Sequence, residues 1–169
     1  RFTRLFPEKV SGVMLISPEV TQPSTGDIFP LNLPWVGEYL MGVVMEPLLL
    51  PKMQSADFVH PDRYPDWEDH YKVQLQYKGT GRALLSTIRN LTKHDPVEEY
   101  QALAETGIPT LLIWGAEDQT IDWDQIEILI QEMPEIQSEI ILDAGHLPHY
   151  EQPETVNPLL IEFLLNNTE

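Results

Sequence analysis

Between Ile108 and His149 the apolar positions change their period twice. Pro109 to Trp114 is a short apolar run without alternation, broken at once by Gly115. Such a run suits a strand buried on both faces, as in a parallel sheet covered by helices. Trp123, Ile126, Leu129, Ile130 and Met133 then recur at helical spacing, and Pro134 marks the end of that helix. A second apolar run over Glu139 to Leu142 leads into the loop Asp143-Ala144-Gly145-His146. The unit reads as strand, helix, strand. Its first loop carries Glu117, Asp118 and Asp122, and its second carries His146.

The flanks follow the same grammar. Phe2, Leu5 and Phe6 sit at helical spacing before Pro7, and Val13 to Ile16 form the buried run of a further strand. Gly12, just before that run, is expected to admit a close helix. From Val20 to Pro34 the chain is rich in Pro, Thr, Ser and Gly and reads as a loop leaving the sheet. Trp35 to Leu50 is apolar on nearly every side, with Pro47 expected to interrupt any helix there. Tyr71 to Tyr77 and Arg82 to Leu91 read as helices separated by a turn at Gly79-Thr80-Gly81. Asp95-Pro96 starts another helix, with Glu98 and Glu99 in its first turn and Gly107 beyond its end. Pro153 opens a terminal helix whose apolar face is Val156, Leu159, Leu160, Phe163 and Leu164, with a late start or a kink expected at Pro158.

The strand–helix–strand order has a chemical consequence. A right-handed crossover lays the two strands parallel, roughly 4.8 Å apart when they are neighbours. Both loops then lie at the C-terminal edge of the sheet, where open α/β proteins place their ligands. Asp118 and His146 are therefore expected to meet. A carboxylate beside an imidazole fixes its tautomer and stabilises the imidazolium, which is the supporting half of a nucleophilic triad. The plainer alternative is a surface aspartate and a loop histidine that never touch. Glu19, at the end of the earlier strand, is a rival acid, and His149 is a rival base.

W-G-A-E-D after a buried strand, then A-G-H-x-x-H-x-E-x-P-E before a terminal helix, resembles the α/β-hydrolase superfamily. The likeness is to its C-terminal half and to lid-bearing esterases, lipases and carbon–carbon bond hydrolases. The opening RFTRLFPEKVSGVMLISP resembles the family's helix after the nucleophile and the strand that follows. By that resemblance Asp118 matches the triad acid and His146 the base. The family's nucleophile motif, G-x-S-x-G, occurs nowhere in the sequence. None of Ser11, Ser17, Ser24, Ser55, Ser86 and Ser138 has the flanking glycines, and no His-Gly loop supplies oxyanion donors. The resemblance thus implies a nucleophile upstream of Arg1.

Bulk properties narrow the classes. With 27 acids against 10 bases the net charge is −17, which disfavours nucleic acid and anionic membrane as partners. There are no cysteines, hence no disulfides or thiolate metal sites. No apolar run approaches the roughly 18 residues of a membrane span, and no leader opens the chain, so a cytoplasmic protein is expected. The expected architecture is α/β: residues 1–18 and 104–169 as the C-terminal part of a parallel hydrolase sheet of about three strands, with 19–103 as a helical lid. The implied function is cleavage of an ester or related bond of a small apolar substrate, with Met41, Met45 and Leu49 lining its pocket and no cofactor or metal. The N-terminal half of the hydrolase, or a second copy of the chain, is the expected protein partner. A non-catalytic half-hydrolase acting as a binding module is the alternative.

Overall fold

A computed structural model describes residues 1–93 and 95–167. In chain order it contains helix α1 (Phe2–Leu5), strand β1 (Val13–Ile16), helix α2 (Val36–Leu40), a π-helical segment (Met41–Leu49) and helix α3 (Leu50–Met53). Helices α4 (Trp67–Leu75), α5 (Thr80–Leu91) and α6 (Pro96–Glu105) follow, then strand β2 (Thr110–Gly115), helix α7 (Trp123–Glu132) and strand β3 (Gln137–Ile141). Helices α8 (Pro148–Glu151) and α9 (Pro153–Asn167) complete it. The chain divides into two compact units. One comprises Arg1–Thr21, Asp57–Val59 and Pro96–Glu169, and the other Gln22–Ala56 and His60–Asp95. No helix among the described residues is long and apolar enough to cross a membrane.

The first unit is built on β2. Every residue of this strand is buried, and it pairs in parallel with β1 on one side and β3 on the other. Its alternate side chains serve two cores. Leu112 and Trp114 point into a cluster with Val20, Leu103 of α6, and Ile126 and Leu129 of α7. Leu111 and Ile113 join Ile141, Ala144, and Val156 and Phe163 of α9 in the other. The sheet is thus a middle layer between α6–α7 and α9, which is why β2 is apolar at every step and not at every second one. Gly12 has the role expected of it: a Cβ there would fall 3.0 Å from the Phe163 ring.

The flanking strands are less covered. β3 starts at Gln137, before the apolar run, and is buried only at Ile141. Ile140 is 37% and Leu142 75% exposed, as β3 lies at the edge of this sheet. On α7 the expected stripe is split in the same way, with Ile126 and Leu129 buried while Trp123 and Ile130 stay exposed.

Three expectations about proline and glycine need correction. α9 starts at Pro153, without the expected late start, and extends to Asn167 with Pro158 inside it. That proline forfeits one hydrogen bond near the helix start, and the burial of Val156 and Phe163 against the sheet outweighs the loss. Pro47 does not interrupt its helix either, but lies within the π-helical Met41–Leu49. A wider turn draws the preceding carbonyl away from the proline ring, which in an α-turn would collide with it. Gly81 belongs to α5 and not to the turn before it. The space a Cβ would need is taken by the Glu46 carboxylate, while Gly79, with φ +99°, makes the turn alone. In this second unit α5 packs on α2, on α4 and on the π-helical segment. Arg89 of α5 donates to the Leu31 and Leu33 carbonyls, each at 2.9 Å, and to both oxygens of Glu38.

Candidate active site

The two loops of the strand–helix–strand unit are joined by backbone before any side chain acts. Past the end of β2, the Ala116 N–H donates to the Ile141 carbonyl at 2.8 Å and the Glu117 N–H to the Ala144 carbonyl at 3.0 Å. Gly115 allows this approach, since a Cβ there would run into the carbonyls of Ala144 and Gly145. Asp143 turns the second loop with φ 55°, a left-handed conformation that Asp tolerates better than most residues. The Gln152 side chain braces this turn by donating to the Asp143 carbonyl at 2.9 Å.

Asp118 then faces His146. Its Oδ1 accepts from the backbone N–H groups of Thr120 at 2.8 Å and Ile121 at 3.0 Å, closing a tight turn around the carboxylate. Its Oδ2 accepts from His146 Nδ1 at 3.0 Å. The Asp118 side chain is 1% exposed and that of His146 23%, so the carboxylate lies beneath the imidazole. An ionised carboxylate only accepts hydrogen bonds, so Nδ1 carries the proton and Nε2 is the nitrogen left with a lone pair.

Electrostatics reinforce the pairing. Burial pushes the Asp118 carboxyl up, but the hydrogen bonds from His146, Ile121 and Thr120 outweigh it and hold the group below its ordinary value. The same bond to Asp118 raises His146 above the usual imidazole value against the effect of its own burial, with smaller charge contributions from Asp118, Asp57 and Glu19. Glu19 acts on the imidazole only through space, and its backbone carbonyl instead accepts the Tyr100 hydroxyl at 2.8 Å. His149 lies on α8, exposed, and is lowered by partial desolvation and by the charge of His146.

Four further contacts are not forecast by the sequence. The His146 N–H donates to the Asp57 carbonyl at 2.9 Å, and Thr120 Oγ1 donates to Asp57 Oδ1 at 2.8 Å. Glu151 accepts from two backbone N–H groups, Gly145 at 2.6 Å and Val59 at 2.8 Å. Glu151 is the glutamate of the A-G-H-x-x-H-x-E pattern and was visible as such; nothing local marks Asp57, far away along the chain.

The proposed pocket-lining residues fall in the second unit. Met41 is 2% exposed and lines a cavity of about 670 Å³ together with Glu46, Lys78, Arg82 and Leu85. Met45 is half-buried and Leu49 is 41% exposed, and neither lines that cavity. Of the six serines, Ser17 is buried at the end of β1 with φ 41° and its hydroxyl unpartnered. β2 separates β1 from β3, so Ser17 and His146 follow strands about 10 Å apart.

The chain is similar in sequence and in fold to known proteins. A monoacylglycerol lipase of Homo sapiens is 31% identical over 72 residues, 41% of this chain and 21% of the lipase. Lipase 3 of a Moraxella species is 34% identical over 80 residues, 47% of this chain and 25% of that enzyme. Among solved structures, a thermophilic esterase from Thermogutta terrifontis matches with a TM-score of 0.76 at 21% identity, over 99% of this chain and 60% of the esterase. An enol-lactonase from Burkholderia xenovorans matches with a TM-score of 0.76 at 15% identity, over 97% of this chain and 60% of the lactonase. The chain therefore spans about three fifths of these structures, and its alignments cover a quarter or less of those two lipases. The family model described as the alpha/beta hydrolase fold matches residues 1–153, and the chain belongs to that family.

Proposed function

We propose that Asp118 and His146 are the acid and base of a hydrolase that cleaves an ester of a small lipophilic molecule, and that the nucleophile comes from outside these residues. The observation that carries this reading is the 3.0 Å bond from His146 Nδ1 to a buried carboxylate, which leaves Nε2 as the proton acceptor. In the reaction, Nε2 takes the proton from the attacking hydroxyl and later delivers it to the leaving alcohol. Asp118 holds the ring in the productive tautomer and stabilises the imidazolium that forms between those steps. The lipase and carboxylesterase names among the relatives support an ester substrate with an apolar part. In this reading the first unit, which includes α6 and Asp57–Val59 beyond the expected 1–18 and 104–169, acts as hydrolase core and the second acts as lid.

The absence of G-x-S-x-G from the sequence supports an external nucleophile. The test is to express the reading frame extended upstream of Arg1 and to follow hydrolysis of p-nitrophenyl butyrate. The extended protein is expected to turn over the ester, and His146→Ala to lose at least about a thousandfold in kcat/KM. Full activity in His146→Ala would exclude this reading.

A further inference from the structure

We propose that Glu151 is a positioning residue for His146, acting as a two-pronged carboxylate clamp that ties the histidine loop to the segment Asp57–Val59. The site is then built from three stretches of chain: the loop after β2, the loop after β3 and Asp57–Val59.

The argument starts from the backbone of the histidine loop. Gly145 and His146 lie beyond the end of β3, so their N–H groups have no strand partner. An unpaired buried N–H is costly, and a mobile His146 would lose its register with Asp118. Both groups are satisfied from outside the loop. The Gly145 N–H donates to Glu151 Oε2 at 2.6 Å, and the His146 N–H to the Asp57 carbonyl at 2.9 Å. The other oxygen of Glu151 accepts the Val59 N–H at 2.8 Å, so one carboxylate holds both sides of the joint. Bonds from N–H to an ionised acceptor are shorter and stronger than neutral ones, which suits the 2.6 Å distance.

Packing makes the joint specific. A Cβ on Gly145 would fall 2.7 Å from the Asp57 carbonyl oxygen and 3.3 Å from Glu151 Oε2. The loop therefore meets the segment backbone to backbone, and only glycine fits between them. Phe58, 6% exposed, sets its ring edge-on to Tyr150 with centroids 5.9 Å apart, directly before Glu151 in the chain. Asp57 closes the circuit. Its Oδ1 accepts from Thr120 Oγ1, while the Thr120 N–H supports Asp118 Oδ1. Glu151, Asp57 and Thr120 thus link the base to the acid by a route that bypasses their direct bond.

This inference takes its significance from His146 acting as the base, but its experiment reads amides and the imidazole of the chain itself. It can therefore fail while the hydrolase reading stands, and the reverse. The ¹⁵N-labelled chain and its Glu151→Ala, Glu151→Gln and Asp57→Asn variants are compared by amide hydrogen exchange and by NMR titration of His146. Glu151→Ala should raise exchange at Gly145 and Val59 tenfold or more and bring the His146 pKa closer to its ordinary value. Glu151→Gln keeps one acceptor oxygen and should free one of those two amides and not both. Asp57→Asn keeps its carbonyl, so it should lower the His146 pKa and leave the Gly145 and Val59 amides protected. If Glu151→Ala does not fold, the two conservative variants decide. Folded variants with unchanged amide exchange and an unchanged His146 titration would overturn the clamp. So would acceleration spread evenly over α9 and the sheet, the mark of a general loss of stability. In the upstream-extended enzyme the same Glu151 variants should lower kcat and leave KM largely intact.

Discussion

The hydrogen bond between His146 and Asp118 contributes to the opposite pKa shifts of both groups, beside the Ile121 and Thr120 amides that also lower Asp118, which makes that bond legible in the pH dependence of stability. His146 is raised in the folded chain, so its contribution is fully present below the unfolded value near 6.5 and is lost as pH rises through the folded one. Asp118 is lowered, so its contribution is present above the unfolded value near 3.8 and is lost as pH falls through the folded one. The pair therefore stabilises most between about pH 4 and 6.5. Urea unfolding of the chain and of Asp118→Asn should differ most near pH 5, with the gap narrowing above neutrality. A gap that is flat with pH would mean that the pair does not titrate as one. The same variant should lower the His146 pKa seen by NMR, because burial of the imidazole remains while the opposing charge is gone.

At the scale of elements, glycines decide how closely the pieces approach. Gly115→Ala sets a methyl group against two carbonyls of the histidine loop that have no room to retreat. It is expected to cost at least the roughly 3 kcal/mol at the top of the overpacking range and to expose the backbone of that loop. Gly12→Ala meets the edge of the Phe163 ring at 3.0 Å, with the nearest backbone atom, the Pro109 carbonyl oxygen, at 3.6 Å, and should cost about 1 kcal/mol. Chemical denaturation checks both, and equal effects would contradict the packing described for Gly115. These elements also show how far the sequence was readable. β2, α7 and the meeting of Asp118 with His146 follow from apolar period and strand order, because those are local or topological properties. The π-helical turn around Pro47, the continuation of α9 through Pro158 and the partnership of Glu151 with Val59 do not follow. Each depends on what packs against the segment from a distant part of the chain, and no local pattern encodes it.

For the whole molecule, the sheet and the missing nucleophile motif point the same way. Among the described residues β1 has a paired neighbour only on its β2 side, and Met14 is 37% exposed along it. A strand edge of this kind is a template for another strand. Phe2, Leu5, Ile161 and Leu165 add further exposed apolar side chains to the same unit. The 169-residue chain is accordingly expected to self-associate, and light scattering should find a dimer or larger; a monodisperse monomer with cooperative unfolding would count against it. Alone it should not hydrolyse p-nitrophenyl butyrate above background. With no G-x-S-x-G in the sequence, the proposed reading leaves His146 Nε2 only water to activate, without the oxyanion donors that supply the larger electrostatic share. Residual catalysis in enzymes stripped of triad members rests on that oxyanion hole and on substrate binding, so even this fallback is weak. Adding the upstream segment in trans should restore turnover if it pairs along β1, and His146→Ala should abolish what is restored. Turnover by the chain alone that vanishes in both His146→Ala and Ser17→Ala would overturn this view, because it would make the buried, unpartnered Ser17 hydroxyl the nucleophile.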